Sequence, residues 1–306
     1  RIASTAVSAQ LLGCDREQML NAVSHAWLDG SSLRTYRHAP NTGSRKSWAA
    51  GDATARGLFL ALMAKRGEMG YPSAVTAPVW GFQDVLFKGN ELSFKQEYGT
   101  YVMENILFKI SYPAEFHAQT AVEAAINLHS LVKDKLDTIE KIVIETQESG
   151  NRIINKTGKL NNPADRDHCI QYMVAIGLIK GALVAEDYED DIANLPIVDE
   201  IRAKMQVSEN TRYSKEYLEA DKRSIGNAIQ VFFKDGTSTH LESVDYPVGH
   251  RRRREEGIPL LVEKFEHSIT SHMTEERARK LMQVCSTQEV FVSTSVDEMM
   301  LLLSSN

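Results

Sequence analysis

Three stretches of this chain gather side chains able to bind anions or move protons. The first, Ser31 to Gly51, holds Arg34, Arg37, His38, Arg45 and Lys46 and no Asp or Glu. Arginine offers a planar fork that matches a carboxylate bidentately. An unbroken cationic loop in a chain of net charge −6 is therefore a candidate carboxylate site. The alternative is a solvated loop whose arginines pair with distant acids. The second stretch runs from Asn162 to Tyr172 (NPADRDHCIQY). On a continuous helix His168 and Tyr172, four apart, share a face, and a His–Tyr pair can donate and accept protons. A capped helix whose polar groups anchor it fits that spacing equally well. The third is Lys109 between Phe108 and Ile110. A lysine among apolar neighbours has either an anionic partner or a chemical role, or else its ammonium snorkels to water.

Arg251–Arg254 forms a run of four arginines, followed at once by Glu255 and Glu256 and not interleaved with aromatics. With 41 Asp and Glu against 35 Lys and Arg, the chain lacks the basic excess of a nucleic-acid binder. The run reads instead as a solvated element end or as an edge of the anion site. No Walker loop, GxGxxG, GxSxG or HExxH occurs. Cys14, Cys169 and Cys285 are widely separated. That spacing offers no zinc knuckle, disulfide frame or cysteine-held iron–sulfur cluster, and it fits a reducing compartment. No apolar run reaches the roughly 18 residues of a membrane span.

The elements that must position these groups are mostly helical. Of the 306 residues 42% are hydrophobic and 25% charged, enough to build one large domain or two ordinary ones. Helices are expected over 3–12, from Asp15 (a capping box with Gln18) to about Trp27, and over 47–65, with 30–46 a loop. Pro72, Pro78 and several glycines leave only short helices over 67–99. Further helices are expected over 115–132 and 161–180, and β-branched residues 138–146 read as a strand. Alternation over Ile229, Val231 and Phe233 up to Asp235-Gly236 predicts a hairpin through a type I′ turn. Helical periodicity returns over 259–270, 274–284 and 295–303. The resulting fold class is mostly α with an α+β insert. Its parts are a helical domain over 1–104, a smaller α+β lid domain over 105–258, and a return to the helical domain over 259–306. Because Arg1 lies inside a helical pattern, the chain is expected to be part of a longer polypeptide whose N-terminal portion carries further catalytic groups.

The segments NTGSRKSWAAGDATARGLFLALMAKRGEMGYPSAVTAPVWGF, YGTYVMENILFKISYPAEFHAQTAVEAA, LNNPADRDHCIQYMVAI and YPVGHRRRREEGIPLLVEKF closely resemble the MmgE/PrpD family. Within that family the resemblance is to the branch that dehydrates 2-methylcitrate, and more distantly to cis-aconitate decarboxylase. It covers nearly the whole chain and thins after about residue 270. It implies a helical domain plus an α+β lid, and a homodimer that works without metal or organic cofactor. The implied substrate is a small tricarboxylate held in a cleft between the two domains. The implied reaction is dehydration of 2-methylcitrate to 2-methyl-cis-aconitate in the methylcitrate cycle of propionate catabolism. Other readings are a related lyase or hydratase acting on citrate or cis-aconitate, including by decarboxylation, or an inactive fragment. Lys109 falls on the family's active-site lysine and Tyr172 on its tyrosine, and His168 lies in the same matching segment. Arg37, His38, Arg45 and Lys46 are carried over as carboxylate binders. Neither nucleic acid nor membrane is expected as a partner. The expected compartment is the mitochondrial matrix for a eukaryotic source and the cytoplasm for a bacterial one.

Overall fold

The computed structural model describes residues 1–29, 33, 35–37, 42–94 and 97–304. Arg34 and His38, named above, lie outside the described residues, and of Arg37 only the backbone is described. The chain forms two compact units, residues 1–99 with 160–165, and residues 100–159 with 166–306.

The first unit is helical. Helix α1 spans Ile2–Leu11, α2 Arg16–Leu28 and α3 Arg45–Lys65. Asp15 and Gln18 close the capping box that starts α2, as their spacing predicts. Ala9, Ala22, Ala61 and Ala64 form the core between these helices, joined by Leu12, Cys14 and Met19. Small side chains bring the axes close: a Cβ at Gly57 of α3 would sit 2.9 Å from the Thr5 backbone nitrogen. Between Gly67 and Gly99 the only described helix is Phe82–Val85. Prolines and glycines there deny the backbone a regular hydrogen-bond ladder.

The second unit is α+β. Helix α4 (Gln119–Val132) leads into strand β1 (Ile139–Thr146). Then come α5 (Ile170–Lys180), α6 (Pro196–Ala203), β2 (Met205–Glu209), α7 (Thr211–Leu218), β3 (Asn227–Phe233) and β4 (Glu242–Val244). The sheet order is β2-β1-β3-β4; β1 and β2 are parallel and the other pairs antiparallel. Ile139, Ile142 and Ile144 of β1 are buried, and so is every residue of α5 from Ile170 to Leu178, the pattern of a helix enclosed all round. Helices α8 (Arg254–Thr270), α9 (Glu275–Val284) and α10 (Val296–Leu303) follow. Ile269, Ala278 and Leu281 form the core of this last group.

Three local expectations are corrected. The helix expected over 161–180 is broken: Pro163–Arg166 is a single turn and α5 starts only at Ile170. The backbone between them bends so that Ile170 N donates to Ile154 O at 2.9 Å. The β3–β4 connection is not type I′, because only Gly236, at φ 85°, is left-handed. Gly236 N donates to Phe233 O and Phe233 N to Thr237 O, a three-residue loop. Asp235 Oδ1 accepts from Thr237 N at 2.9 Å, which holds Asp235 in a right-handed turn. Finally, α8 begins at Arg254 and carries Pro259 inside it rather than starting after it.

Candidate active site

In the second unit the segment around Lys109 is an irregular strand with no helix or sheet of its own, so other elements must hold it. Phe108 N donates to Gly249 O at 3.1 Å, and Lys264 Nζ of α8 donates to Lys109 O at 2.6 Å. Arg254 donates to Ile106 O at 2.7 Å and lies 4.1 Å over the Phe108 ring. The approach at Gly249 is so close that a Cβ there would fall 1.6 Å from Phe108 O, which only glycine permits. The remaining arginines of the run are also engaged within the unit. Arg251 and Arg252 both donate to Asp221 O. Arg253 clasps Glu123 with two contacts of 2.9 Å and also pairs with Glu256. Arg254 thus helps to hold the segment that carries Lys109, while the other three arginines are engaged elsewhere in the same unit.

The Lys109 ammonium stands 5.5 Å over the Phe116 ring. Desolvation lowers its pKa, the nearby Asp167 and Glu115 carboxylates oppose that shift, and the Lys264 ammonium adds to it. Glu115 accepts from His117 N at 2.8 Å and meets His117 Nδ1 at 2.8 Å. Burial pushes the Glu115 pKa up, but its hydrogen bonds and charge contact with His117 prevail, so the carboxyl sits below its usual range. Glu115 N also donates to Asp167 O at 3.3 Å, which brings residues 166–168 of the same unit alongside. There His168, buried, meets Asp167 Oδ1 through Nδ1 at 2.6 Å. Lys109, Glu115, Asp167 and His168 are therefore close enough to influence one another's charge. A carboxylate that holds the Nδ1 side of an imidazole fixes its orientation. Sequence reading passed over Glu115 and His117. The available signal was the Glu-Phe-His spacing just after Pro113, too common to single out by itself.

Tyr172 occupies different surroundings. Because the helix is broken at 167–169, His168 lies in a turn before α5 and does not share a helical face with Tyr172. The Tyr172 ring is buried and stacked on Tyr188 with centroids 5.9 Å apart, and its hydroxyl donates to Asp187 O at 2.5 Å. Burial raises its pKa to about 12, so the hydroxyl is neutral.

In the first unit, Thr35–Arg37 forms a 3-10 turn, and Arg45 and Lys46 open the 21-residue helix α3. Two cations at a helix N-terminus reinforce the positive end of its dipole instead of opposing it. Arg45 lies 4.3 Å from the Trp48 ring centroid and pairs with Asp52 at 3.3 Å. A cavity of about 480 Å³ beside them is lined by Arg1, Tyr36, Arg45, Asp52 and Arg56. Asp29 accepts from Arg56 at 2.8 and 3.1 Å and pairs with Arg1 at 3.1 Å, and these arginines hold its carboxyl below the usual range. Sequence reading missed Arg56; it follows Arg45 by three helical turns, a spacing that puts both on one face. Among the described residues no three His, Cys, Asp or Glu side chains are gathered as a metal cage, and no helix is long and apolar enough to cross a membrane.

A helical N-terminal unit followed by an α+β unit built on a four-stranded mixed sheet is the architecture onto which two family models map. The MmgE/PrpD N-terminal domain matches residues 1–95 and the MmgE/PrpD C-terminal domain residues 112–288. The chain belongs to the MmgE/PrpD family. It is 57% identical over 287 residues to a protein of Escherichia coli K12 named 2-methylcitrate dehydratase, which covers 93% of this chain and 59% of that protein. It is 56% identical over 302 residues to a mitochondrial 2-methylcitrate dehydratase of Yarrowia lipolytica, 97% of this chain and 58% of that one. A probable 2-methylcitrate dehydratase of Saccharomyces cerevisiae is 51% identical over 308 residues, 98% of this chain and 60% of that one. The chain thus spans about three fifths of the length of these relatives.

Proposed function

We propose that this chain is part of a hydro-lyase that dehydrates 2-methylcitrate to 2-methyl-cis-aconitate. The observation that carries this reading is 57% identity across nearly the whole chain to a protein of that name. The chemistry asks for three things: a base for the poorly acidic C–H beside a carboxylate, an acid for the departing hydroxide, and fixed cations for the charge that builds on the carboxylate. Lys109 is assigned to the carboxylate, since its side chain is exposed and its ammonium, held over the Phe116 ring, is a fixed cation that an anion can reach. His168, oriented by Asp167, is assigned to proton transfer. Tyr172, whose hydroxyl is given over to Asp187 O, is assigned to holding α5 in place. Arg37, His38, Arg45 and Lys46 are assigned as carboxylate ligands. A homodimer is supported by the family resemblance, and a mitochondrial setting by the Yarrowia relative named as such.

In the complete enzyme Lys109→Ala is expected to lower kcat/KM by about a hundredfold or more. Turnover is followed by absorbance of the unsaturated product. Near-normal turnover by that variant would remove Lys109 from the site, and preference for citrate or cis-aconitate would move the activity to a neighbouring lyase.

A further inference from the structure

Within the second unit a cavity of about 490 Å³ opens between residues 101–107 and the loop that follows α7. Val102, Ile106, Leu107 and Ile225 give it apolar walls, and Phe116, the ring beneath Lys109, forms part of its lining. Its strong cation is Arg223. That residue adopts φ 46°, a left-handed conformation that costs a non-glycine residue free energy and that surrounding contacts must impose. Those contacts are visible: Arg223 N donates to Glu219 O at 2.9 Å, while Arg251 and Arg252 grip Asp221 O. The guanidinium is aimed by Tyr101, whose hydroxyl accepts from Nε at 2.7 Å. One terminal nitrogen reaches only Tyr217 O, at 3.5 Å, and among the described residues no carboxylate pairs with Arg223.

Two further groups face the same space. His117 Nε2 lies 3.3 Å from the Tyr217 hydroxyl, and its Nδ1 is held by Glu115, so any charge on the imidazole is matched by that carboxylate. Asn105 donates through Nδ2 to Tyr101 O at 2.8 Å, while its Oδ1 is buried without a hydrogen-bond partner. The cavity therefore offers one guanidinium without a carboxylate partner among the described residues, hydroxyl and imidazole groups, and an apolar wall.

We propose that this cavity binds a small monocarboxylate with a short apolar body. The carboxylate would sit on Arg223 beside the Tyr217 hydroxyl, and the alkyl portion against Val102, Ile106 and Leu107. A single guanidinium matches one carboxylate, and three would leave two negative charges unpaired against apolar walls. The site therefore differs in kind from one for a tricarboxylate, and its occupancy requires no turnover.

The test is direct binding of butyrate to this chain by calorimetry, with butyramide as the uncharged analogue and citrate as competitor. Butyrate binds saturably to one site, butyramide binds at least about tenfold more weakly, and citrate does not displace butyrate. Arg223→Met weakens butyrate at least about tenfold. Val102→Trp, at a position 72% exposed and tolerant of bulk, fills the mouth and abolishes binding while leaving every charge in place. Absence of saturable butyrate binding, unchanged affinity in both variants, or displacement by citrate would overturn the assignment.

Discussion

Gly249→Ala tests whether the hold on the Lys109 segment matters as the geometry implies. A Cβ at this position would lie 1.6 Å from Phe108 O, 2.6 Å from its carbonyl carbon and 2.9 Å from its nitrogen. All three atoms are backbone, so no rotamer change can relieve the clash. Ordinary non-bonded contact needs about 3.5 Å, so one segment must retreat by roughly 2 Å. The retreat breaks the 3.1 Å bond from Phe108 N to Gly249 O. Overpacking costs about 1–3 kcal/mol and the lost hydrogen bond about 1 kcal/mol, together about 2–4 kcal/mol. For a unit of this size that lowers the thermal midpoint by roughly 5–15 °C. Lys109 is the next residue, and a displacement of even about 1 Å at a reacting group costs on the order of a hundredfold in rate. Thermal unfolding of this chain followed by circular dichroism, and kcat/KM of the complete enzyme, measure the two effects separately. Gly236→Ala is the comparison: at φ 85° with open space around it, it should cost about 1 kcal/mol of backbone strain and leave turnover alone. A Gly249→Ala protein as stable and as active as its parent would refute the reasoning.

Other consequences concern pH and buried pairs. Burial drives the His250 pKa down from 6.5 to about 4; backbone contacts at Lys222 and Arg223 oppose this, and the Arg251 and Arg252 charges add to it. The folded state thus refuses a proton that the unfolded chain accepts. Stability should be full above about pH 6.5 and fall as pH drops towards 4, by on the order of 3 kcal/mol, and His250→Asn should flatten that slope in urea titrations. Glu115, with its pKa depressed, contributes stability above the ordinary glutamate range that is lost as pH falls through its lowered value, and His117→Ala should remove most of this acid sensitivity. Tyr172→Phe leaves the buried Asp187 carbonyl without that donor and should cost about 1–3 kcal/mol, read as a lower urea midpoint. If the hydroxyl takes part in proton transfer instead, kcat falls far more than stability does.

The sequence alone carried much of the local structure. The Asp15–Gln18 box, the alanine seam of α1 and α3, the β-branched run of β1 and the alternation of β3 are written in short-range spacing, so they could be read residue by residue. Long, irregular matching segments likewise carried the family, and with it Lys109 and His168 as residues worth locating. What spacing could not decide was which polar groups meet. Whether 161–180 is one helix or two depends on where Ile170 N finds an acceptor, and that acceptor, Ile154 O, comes from another part of the chain. The four arginines look free in sequence because their partners Asp221, Glu123, Ile106 and Phe108 lie roughly 30 to 150 residues away. Glu115 acquires a lowered pKa, and Tyr172 a raised one, only from burial and neighbours that the folded chain supplies. Electrostatics falls off with distance through space rather than along the chain, so the chemistry of these residues is a property of the tertiary structure.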